Sequence, residues 1–425
     1  MDDNAANVDE ESPGRKIADR QLKIQTVNPR WLDTYITAVG VVDFASTAVI
    51  METVRFVMAQ VRIEYTDLSS FVVGWVSSAI PAGALMGVLV GGALADSYGR
   101  RTVIMAGESL LMLSCLGVSL QHAPTVEILI GIHLIKGICF GAIIVCTTPW
   151  IIECVGTKER GILTSVANLG WVVGGLLVQI LIKLGMISEI YSLELLPIPA
   201  ALLAFLAIST ASESRQWQHC IAARGRQTIT AGLLDVPLGL IFKLALFWLT
   251  MPGVSYAVFF WAPTLLREHT GEVDVDLATL SSATLATVPI GLAAGWLIDY
   301  GRRSIIVSSL VICSITLLIM PFTSTTIWKV CYVVLECFIS VAWTIGGIWT
   351  NELFPTRVRA TAFGTMQCLA RVSAMCGPIL AGAARDWSSS GLYHLCAAVS
   401  VVSLCGVMLL DDTANETPKS LPKPD

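Results

Sequence analysis

Two nearly identical short segments occur about 200 residues apart, each between two long apolar stretches. The first runs from Gly92 to Arg101 and reads G-A-L-A-D-S-Y-G-R-R, and the second runs from Gly295 to Arg303 and reads G-W-L-I-D-Y-G-R-R. Glycines permit a tight reversal of the backbone, and the paired arginines hold the reversal on one side of a membrane. The repeat predicts a chain built from two similar halves.

A second motif repeats with a similar offset. Glu153 precedes Arg160-Gly161, and Glu352 precedes Arg359-Ala360, with the same spacing in each half. One such match is weak support for duplication. Two different motifs repeated at corresponding places indicate a duplicated bundle of membrane helices.

The composition indicates a polytopic membrane protein. Hydrophobic residues make up 54% of the 425 residues and charged residues only 14%, whereas soluble proteins carry about 25% charged residues. So few charges cannot cover a surface that faces water. The first thirty residues are polar and resemble no cleaved signal peptide, so we expect the first helix itself to direct insertion.

Apolar stretches bounded by turn or charged residues predict an all-α protein with twelve transmembrane helices, each needing about 20 residues. The least certain is the first, because it contains Asp43 and Glu52. The predicted spans are 32–54, 70–95, 102–120, 126–150, 161–186, 190–210, 237–261, 277–298, 303–321, 327–350, 360–383 and 391–410.

A long polar connection divides the spans into two pseudo-symmetric bundles of six helices. Lys and Arg concentrate in the loops from even to odd helices, which predicts that both termini and the central loop face the cytosol. The predicted segments are a disordered tail at 1–30, a first bundle at 31–210, a central loop at 211–236, a second bundle at 237–410 and a disordered tail at 411–425.

These motifs resemble those of the major facilitator superfamily, over roughly residues 31–410. The second loop has one residue fewer between its aspartate and glycine, and Gly156 stands where the family usually has proline. In the family such loops form cytosolic charge networks that latch one access state; the alternative is a plain turn. The resemblance implies gate roles for Asp96, Arg100, Arg101, Glu153, Arg160, Asp299, Arg302, Arg303, Glu352 and Arg359.

Two further stretches are similar to organic-ion and metabolite:proton symporter branches of the family. They are the segment from Tyr256 to Pro263 and the segment from Ala370 to Pro378. Only a short connection, Arg62 to Ser69, follows the first predicted helix, so the chain looks closer to synaptic-vesicle-2-like and microbial metabolite symporters than to carriers with a large ectodomain. The motif of Glu153 is that of the sugar-porter and organic-ion branches.

Ionisable groups inside the membrane are costly and by default mark a functional site. Asp43, His133 and Glu336 are therefore the candidates for proton coupling. A carboxyl group or an imidazole can carry a proton, and histidine titrates near neutral pH. The alternative for each is a structural role, as the partner of an opposite charge on a neighbouring helix.

Arg371 is the leading candidate for binding substrate, because its guanidinium group is always charged and matches a carboxylate or a phosphate. Lys136 in the other half could add to a positive central cavity. Arg371 could equally pair with Asp43 or Glu336. The predicted substrate-binding residues are Arg371, Lys136, Gln367, Tyr256 and Trp343.

The sequence thus predicts a secondary transporter that moves a small organic or inorganic anion by alternating access, with proton symport. The alternatives are a carrier of a neutral sugar or organic cation, and a non-transporting receptor or vesicle protein of the same fold. We find no nucleophile–base pair, phosphate loop or metal-ligand spacing, so we expect no enzyme, no cofactor and no bound metal. The expected partners are the substrate, protons and the lipid bilayer of the plasma membrane or an organelle, without nucleic acid, and the expected state is a monomer.

Overall fold

A computed structural model describes residues 30–119, 125–155, 160–187, 189–214, 217–218, 238–271, 276–297, 301–353 and 359–410. Within these ranges the secondary structure is helical, without strands. The predicted C-terminal tail, nearly all of the predicted N-terminal tail and most of the predicted central loop lie outside the described residues.

The first bundle contains six membrane helices, of which two are interrupted. α5 breaks at Leu169, and α6 breaks at Leu196, directly before Pro197. Proline has no N–H to donate, so it begins the second piece of α6 more readily than it continues the first. The helices are α1 (Arg30–Glu64), α2 (Ser70–Tyr98), α3 (Arg100–Ser119), α4 (Val126–Cys154), α5 (Arg160–Asn168 and Gly170–Lys183) and α6 (Ile190–Leu195 and Pro197–Thr210).

The second bundle repeats this arrangement. α7 is interrupted before Pro252, which again lies at the start of the second piece. The helices are α7 (Leu238–Trp248 and Met251–Thr270), α8 (Leu277–Leu297), α9 (Arg302–Ile319, followed by a 3₁₀ turn, Met320–Phe322), α10 (Thr325–Leu353), α11 (Arg359–Trp387) and α12 (Gly391–Met408).

The twelve-helix prediction is confirmed, and the chain is a multi-pass integral membrane protein. Among the described residues, nine helices are long and apolar enough to cross a membrane by length and composition alone. The other three are α3, α8 and α11. The apolar part of α8 is shorter (Leu277–Ala293), and α3 and α11 carry arginines. The predicted first span ends too early: α1 continues to Glu64, because the charged Glu52 and Arg55 are buried within it rather than exposed at its end.

Glycines bring α2 and α4 into direct backbone contact. Each of Gly83 and Gly87 on α2, and Gly137 and Gly141 on α4, faces a carbonyl oxygen of the other helix where a Cβ atom would have to lie. Small residues spaced by four are the usual means by which membrane helices approach closely. No side chain larger than hydrogen fits at these four positions without moving the helices apart.

The two bundles contact each other near residues 65–69, the loop that joins α1 to α2. We call this side the loop-65 end. Gly74 of α2 packs on Pro378 of α11. Asp386, at the end of α11, accepts hydrogen bonds from the backbone N–H groups of Ser70 (2.9 Å) and Phe71 (3.0 Å). An acidic side chain on the N-terminal N–H groups of a helix is favourable, so this contact joins the bundles at one end.

We expect Gly137→Ala to lower the thermal stability of the detergent-purified protein, because the added methyl group overpacks the α2–α4 contact at a cost of about 1–3 kcal/mol. Gly131→Ala is the control on the same helix, since open space surrounds that position. Thermal unfolding followed by size-exclusion chromatography measures both variants. Equal stability of the two would contradict the proposed role of the glycine contact.

Candidate functional site

Arg371 lies at the interface between the bundles, midway along α11. Its Nη1 donates to the hydroxyl of Tyr256 on α7 (2.8 Å). Its guanidinium carbon lies 5.5 Å from the ring centroid of Phe140 on α4, in the other bundle, within the range of a cation–π contact. Phe140 in turn meets Trp171 of α5 edge-to-face at 6.1 Å between centroids. We call these four residues the Arg371 cluster.

The charge of Arg371 is not compensated within the described residues. The residue is only 8% exposed, its Nε has no hydrogen-bond partner, and no carboxylate lies within ion-pair distance. Neither Asp43 nor Glu336, the two counter-ions considered from the sequence, contacts it. A buried guanidinium group with free donors is suited to an anion.

Two other predicted substrate-binding residues lie in the same region of the second bundle. Trp343 on α10 is half-buried, and its indole N–H donates to Ser255 (2.9 Å), the residue before Tyr256. Gln367 lies one turn before Arg371 on α11 and is also half-buried. Both can present polar groups to a ligand.

His133 and Lys136 lie in a separate, fully buried triad with Glu194 of α6. Glu194 Oε1 is 2.7 Å from His133 Nε2, and Lys136 Nζ donates to Glu194 Oε2 at 2.5 Å. His133 Nδ1 faces the backbone oxygen of Val76 at 2.7 Å. A neutral imidazole carries one N–H. Both contacts of His133 are therefore hydrogen bonds only if the triad holds one further proton, on the imidazole or on Glu194.

This triad supports a structural role for Lys136 and His133. Lys136 is 0% exposed, and its charge is neutralised by Glu194. That charge is therefore not available to bind a substrate. Glu194 lies within the predicted span 190–210. Glu194 could have been found in the same way as Asp43, as an ionisable residue inside a predicted membrane span. Its partners could not be deduced from spacing.

Asp43 lies among hydroxyl groups and a second carboxyl group rather than beside a cation. Thr147 of α4 donates to Asp43 Oδ2. Ser46, three residues further along α1, donates to Oε2 of Glu108 on α3 (3.1 Å). Asp43, Ser46, Thr147 and Glu108 are each at most 1% exposed. Glu108 falls in the predicted span 102–120 and was not among the predicted site residues.

Glu336 belongs to a buried network that links the bundles at the loop-65 end. Tyr332 of α10 donates to Glu336 Oε1 (2.9 Å) and accepts from Arg55 Nη2 of α1 (2.5 Å). Arg55 also pairs with Glu52 (3.3 Å) and lies 4.5 Å from the ring centroid of Phe259. We call Glu52, Arg55, Tyr332 and Glu336 the Arg55 network.

Four of the five predicted gate residues of the first half have described side chains, and their contacts lie within their own bundle. Arg100 pairs with Glu153 (3.0 Å) and more loosely with Asp96 (3.9 Å). Arg101 donates to the last carbonyl groups of α6, those of Ile208 (3.1 Å) and Ser209 (2.6 Å). A cation at the C-terminus of a helix is favourable.

The same cap recurs in the second half. Arg303 donates to the carbonyl oxygen of Met408 (2.7 Å), at the end of α12. Arg302, the residue before it, begins α9. The second arginine of each repeated loop thus caps the last helix of its own bundle. Asp299 and the side chains of Arg160, Glu352 and Arg359 lie outside the described residues.

The backbone conformation and close packing at Gly99 explain why a glycine precedes the arginine pair of the first loop. Its φ of +98° is disfavoured for other residues, and a Cβ there would collide with the carboxylate of Glu213. That carboxylate accepts from the backbone N–H of Arg101 (3.0 Å). Glu213 was missed because the sequence places it in the central loop, where a single acidic residue has no distinguishing pattern.

Comparison with known proteins gives a consistent result. A sequence profile described as Sugar (and other) transporter matches residues 39–230, and one described as Major Facilitator Superfamily matches residues 272–425. The niacin transporter of Acinetobacter baylyi is 22% identical over 340 residues, covering 72% of this chain and 77% of that protein. The 3-(3-hydroxy-phenyl)propionate transporter of Escherichia coli is 27% identical over 329 residues, covering 74% and 78%.

Among solved structures, the inward-open xylose transporter of E. coli superimposes with a TM-score of 0.77. The match covers 91% of this chain and 98% of that one at 15% sequence identity. At this identity the likeness concerns the fold.

We expect Lys136→Met to destabilise the detergent-purified protein strongly, because it leaves Glu194 buried without its cation, a change worth about 3–5 kcal/mol. Lys329→Met is the control, since Lys329 pairs with Asp276 at a partly exposed position (2.6 Å). Thermal unfolding measures both, and Lys136→Met/Glu194→Gln should recover part of the loss. Wild-type stability of Lys136→Met with impaired substrate binding would instead favour a substrate-binding role.

Proposed function

Because the chain belongs to the major facilitator superfamily and is a transporter, we propose that it moves a small organic anion across the membrane by alternating access, together with a proton. The observation that carries this proposal is the uncompensated charge of Arg371. Burying a cation without a counter-ion costs several kcal/mol. An anionic substrate that binds at Arg371 would supply the missing charge.

The surroundings of Arg371 favour a flat carboxylate. Phe140, Trp171 and Tyr256 offer aromatic faces and edges beside the guanidinium group, which suits an unsaturated ring that carries a carboxylate. Niacin and 3-(3-hydroxyphenyl)propionate, the compounds for which two relatives are named, combine these two features. A carboxylate could accept two parallel N–H bonds from Arg371 while its ring packs on Phe140.

The contacts between the bundles support a state that is closed at the loop-65 end. Among the described residues, hydrogen bonds between bundles join Arg55 to Tyr332, Asp386 to the start of α2, and Gln179 to α8, all toward that end. At the opposite end, Arg100, Arg101 and Arg303 bind within their own bundles. The loops rich in Lys and Arg lie at this opposite end, so we assign it to the cytosol, together with both termini.

Proton coupling is assigned to Asp43 among the three predicted candidates. Glu336 lies in the Arg55 network and His133 lies beside Glu194, so each already has a charged partner. Asp43 has no cation within ion-pair distance among the described residues. An ionised carboxylate is costly to bury without a cation. A carboxyl group that binds a proton when buried and releases it when hydrated can act as a proton carrier.

A neutral sugar is the second candidate substrate. The xylose transporter has the same fold, and Tyr256, Trp343 and Gln367 are half-buried groups that can bond to hydroxyls. In that case Arg371 would act only through Tyr256. An organic cation would be repelled by Arg371, and a receptor or vesicle protein without transport activity would show no uptake of any compound.

Uptake into proteoliposomes tests the substrate class with labelled nicotinate, 3-(3-hydroxyphenyl)propionate, xylose and choline, with and without an inward proton gradient. We expect the gradient to stimulate uptake of a carboxylate. Arg371→Ala should reduce that uptake about tenfold or more, since a hydrogen bond to a charged group contributes about 1.5–3 kcal/mol.

Arg267→Ala serves as the control, because Arg267 lies near the end of α7 and is partly exposed. It should leave uptake unchanged. Xylose or choline uptake that survives Arg371→Ala would refute the anion assignment, and no uptake of any probe would favour the receptor alternative.

The closed loop-65 end is tested by labelling of a buried cysteine. Gln179 is 1% exposed, so a Gln179→Cys reporter should react slowly with a hydrophilic maleimide in detergent. Arg55→Met removes the cation that joins Glu52, Tyr332 and Glu336, and should speed this labelling severalfold by populating the state open at this end. Mass spectrometry of the labelled peptide measures the rate, with Arg267→Ala as the control. Unchanged labelling in Arg55→Met would exclude the network as a clamp.

A further inference from the structure

Asp43 and Glu108 form a pair of carboxyl groups in the middle of the first bundle. They come from α1 and α3, and both are 0% exposed. Ser46 lies one turn after Asp43 on the same face of α1, so its hydrogen bond to Glu108 holds the second carboxyl group alongside the first. Asp43 lies near enough to act electrostatically on Glu108.

Each carboxyl group of the pair has one oxygen with a hydrogen-bond partner and one without. Hydroxyl groups satisfy Oδ2 of Asp43 and Oε2 of Glu108. The remaining oxygens, Asp43 Oδ1 and Glu108 Oε1, are buried and have no partner. Two carboxylates close together in an apolar interior cannot both remain ionised, and a proton on one oxygen creates the donor that the free oxygens lack.

Among the described residues, the neighbouring helices bring no unpaired charge to the two carboxyl groups. The titratable groups that interact with it from α4 are the thiols of Cys139 and Cys146. The cations that act on these thiols are Lys136 and Arg100; Lys136 is paired with Glu194, and Arg100 with Glu153. On the α5 side, glycines pack against the backbone of α1 at Val41 and Ala45.

We propose that Asp43 and Glu108 together form the proton-binding site of this transporter, in which one proton is shared between the two carboxyl groups. The inference rests on the proposed proton symport and adds Glu108 as its second residue. Loading forms an O–H bond with a proton taken from water. When the site opens to water on the other side, that bond breaks, the proton returns to water and hydration stabilises the second negative charge.

α4 connects this site to the substrate. Thr147, which donates to Asp43, lies on the same helix as Phe140, which contacts Arg371. The two residues are seven positions apart, or about 10 Å along the helix axis. A ligand that shifts α4 through its contact with Phe140 would therefore also move the hydroxyl group that binds Asp43.

The first test requires no substrate. Infrared spectroscopy of the detergent-purified protein at neutral pH should show the carbonyl stretch of a protonated carboxylic acid. Because the proton is shared, Asp43→Asn and Glu108→Gln should each change this band, and Ser46→Ala should shift it while keeping both carboxyl groups. Glu127→Gln, on the exposed first turn of α4, should leave it unchanged. A band that Glu108→Gln does not alter would overturn the proposal even if the protein transports anions.

The second test separates coupling from binding, with labelled nicotinate and 3-(3-hydroxyphenyl)propionate in proteoliposomes. Glu108→Gln should retain exchange of internal for external substrate but lose accumulation driven by a proton gradient, as should Asp43→Asn. Size-exclusion chromatography verifies that each variant is folded. Proton-driven accumulation that persists in Glu108→Gln, or accumulation driven by a sodium gradient instead, would refute the shared proton site. If neither compound is transported by the wild type, the proposed function fails, and the infrared result still decides the site.

Discussion

The structure depends on the cost of placing charge inside a membrane. Each ionisable group there must meet an opposite charge, a proton or a ligand. Lys136 meets Glu194, and Arg55 meets Glu52, so these groups are balanced within the protein. Among the residues that the structure describes, Arg371 has no anionic partner, and Asp43 and Glu108 have no cationic one. These two imbalances have opposite sign and lie at separate places. A bound anion would balance Arg371, and one shared proton would lower the charge of the carboxyl pair from two negative charges to one. The transport cycle proposed for this chain therefore depends on which charges the helices leave uncompensated.

Duplication supplies the frame in which these charges are held. Both halves use a tight turn followed by two arginines, and in both the second arginine caps the last helix of its own bundle. The symmetry ends at the membrane interior. The His133–Lys136–Glu194 triad and the pair of carboxyl groups belong to the first bundle, whereas Arg371, Tyr256 and Trp343 belong to the second. The proposed proton site and most of the proposed substrate site thus lie in different halves, and Phe140 of the first bundle contacts Arg371.

The sequence predicted the number of helices because apolar length is a local property. It also predicted Tyr256 and Arg371 as residues of one site, and they are hydrogen-bonded. It did not predict the partners that decide the role of each charge. Glu194 lies 58 residues from Lys136, and Ser46 lies 62 residues from Glu108. Such pairings follow from how helices pack, and no spacing within one helix contains that information. The first helix was predicted too short for the same reason. From the sequence alone, the charged Arg55 indicates the end of a membrane span, and only its buried partners show that the helix continues.

The arginine caps also bear on how the chain is made. Arg101 joins the start of α3 to the end of α6, so every atom of this closure belongs to the first 214 residues of the chain. The first bundle can therefore close on itself while the second is still being synthesised, because domains fold as units from the N-terminus during translation. The carboxyl pair and the triad lie within this early unit. The half that carries the proposed proton site can thus be assembled before the half that carries Arg371 has left the ribosome.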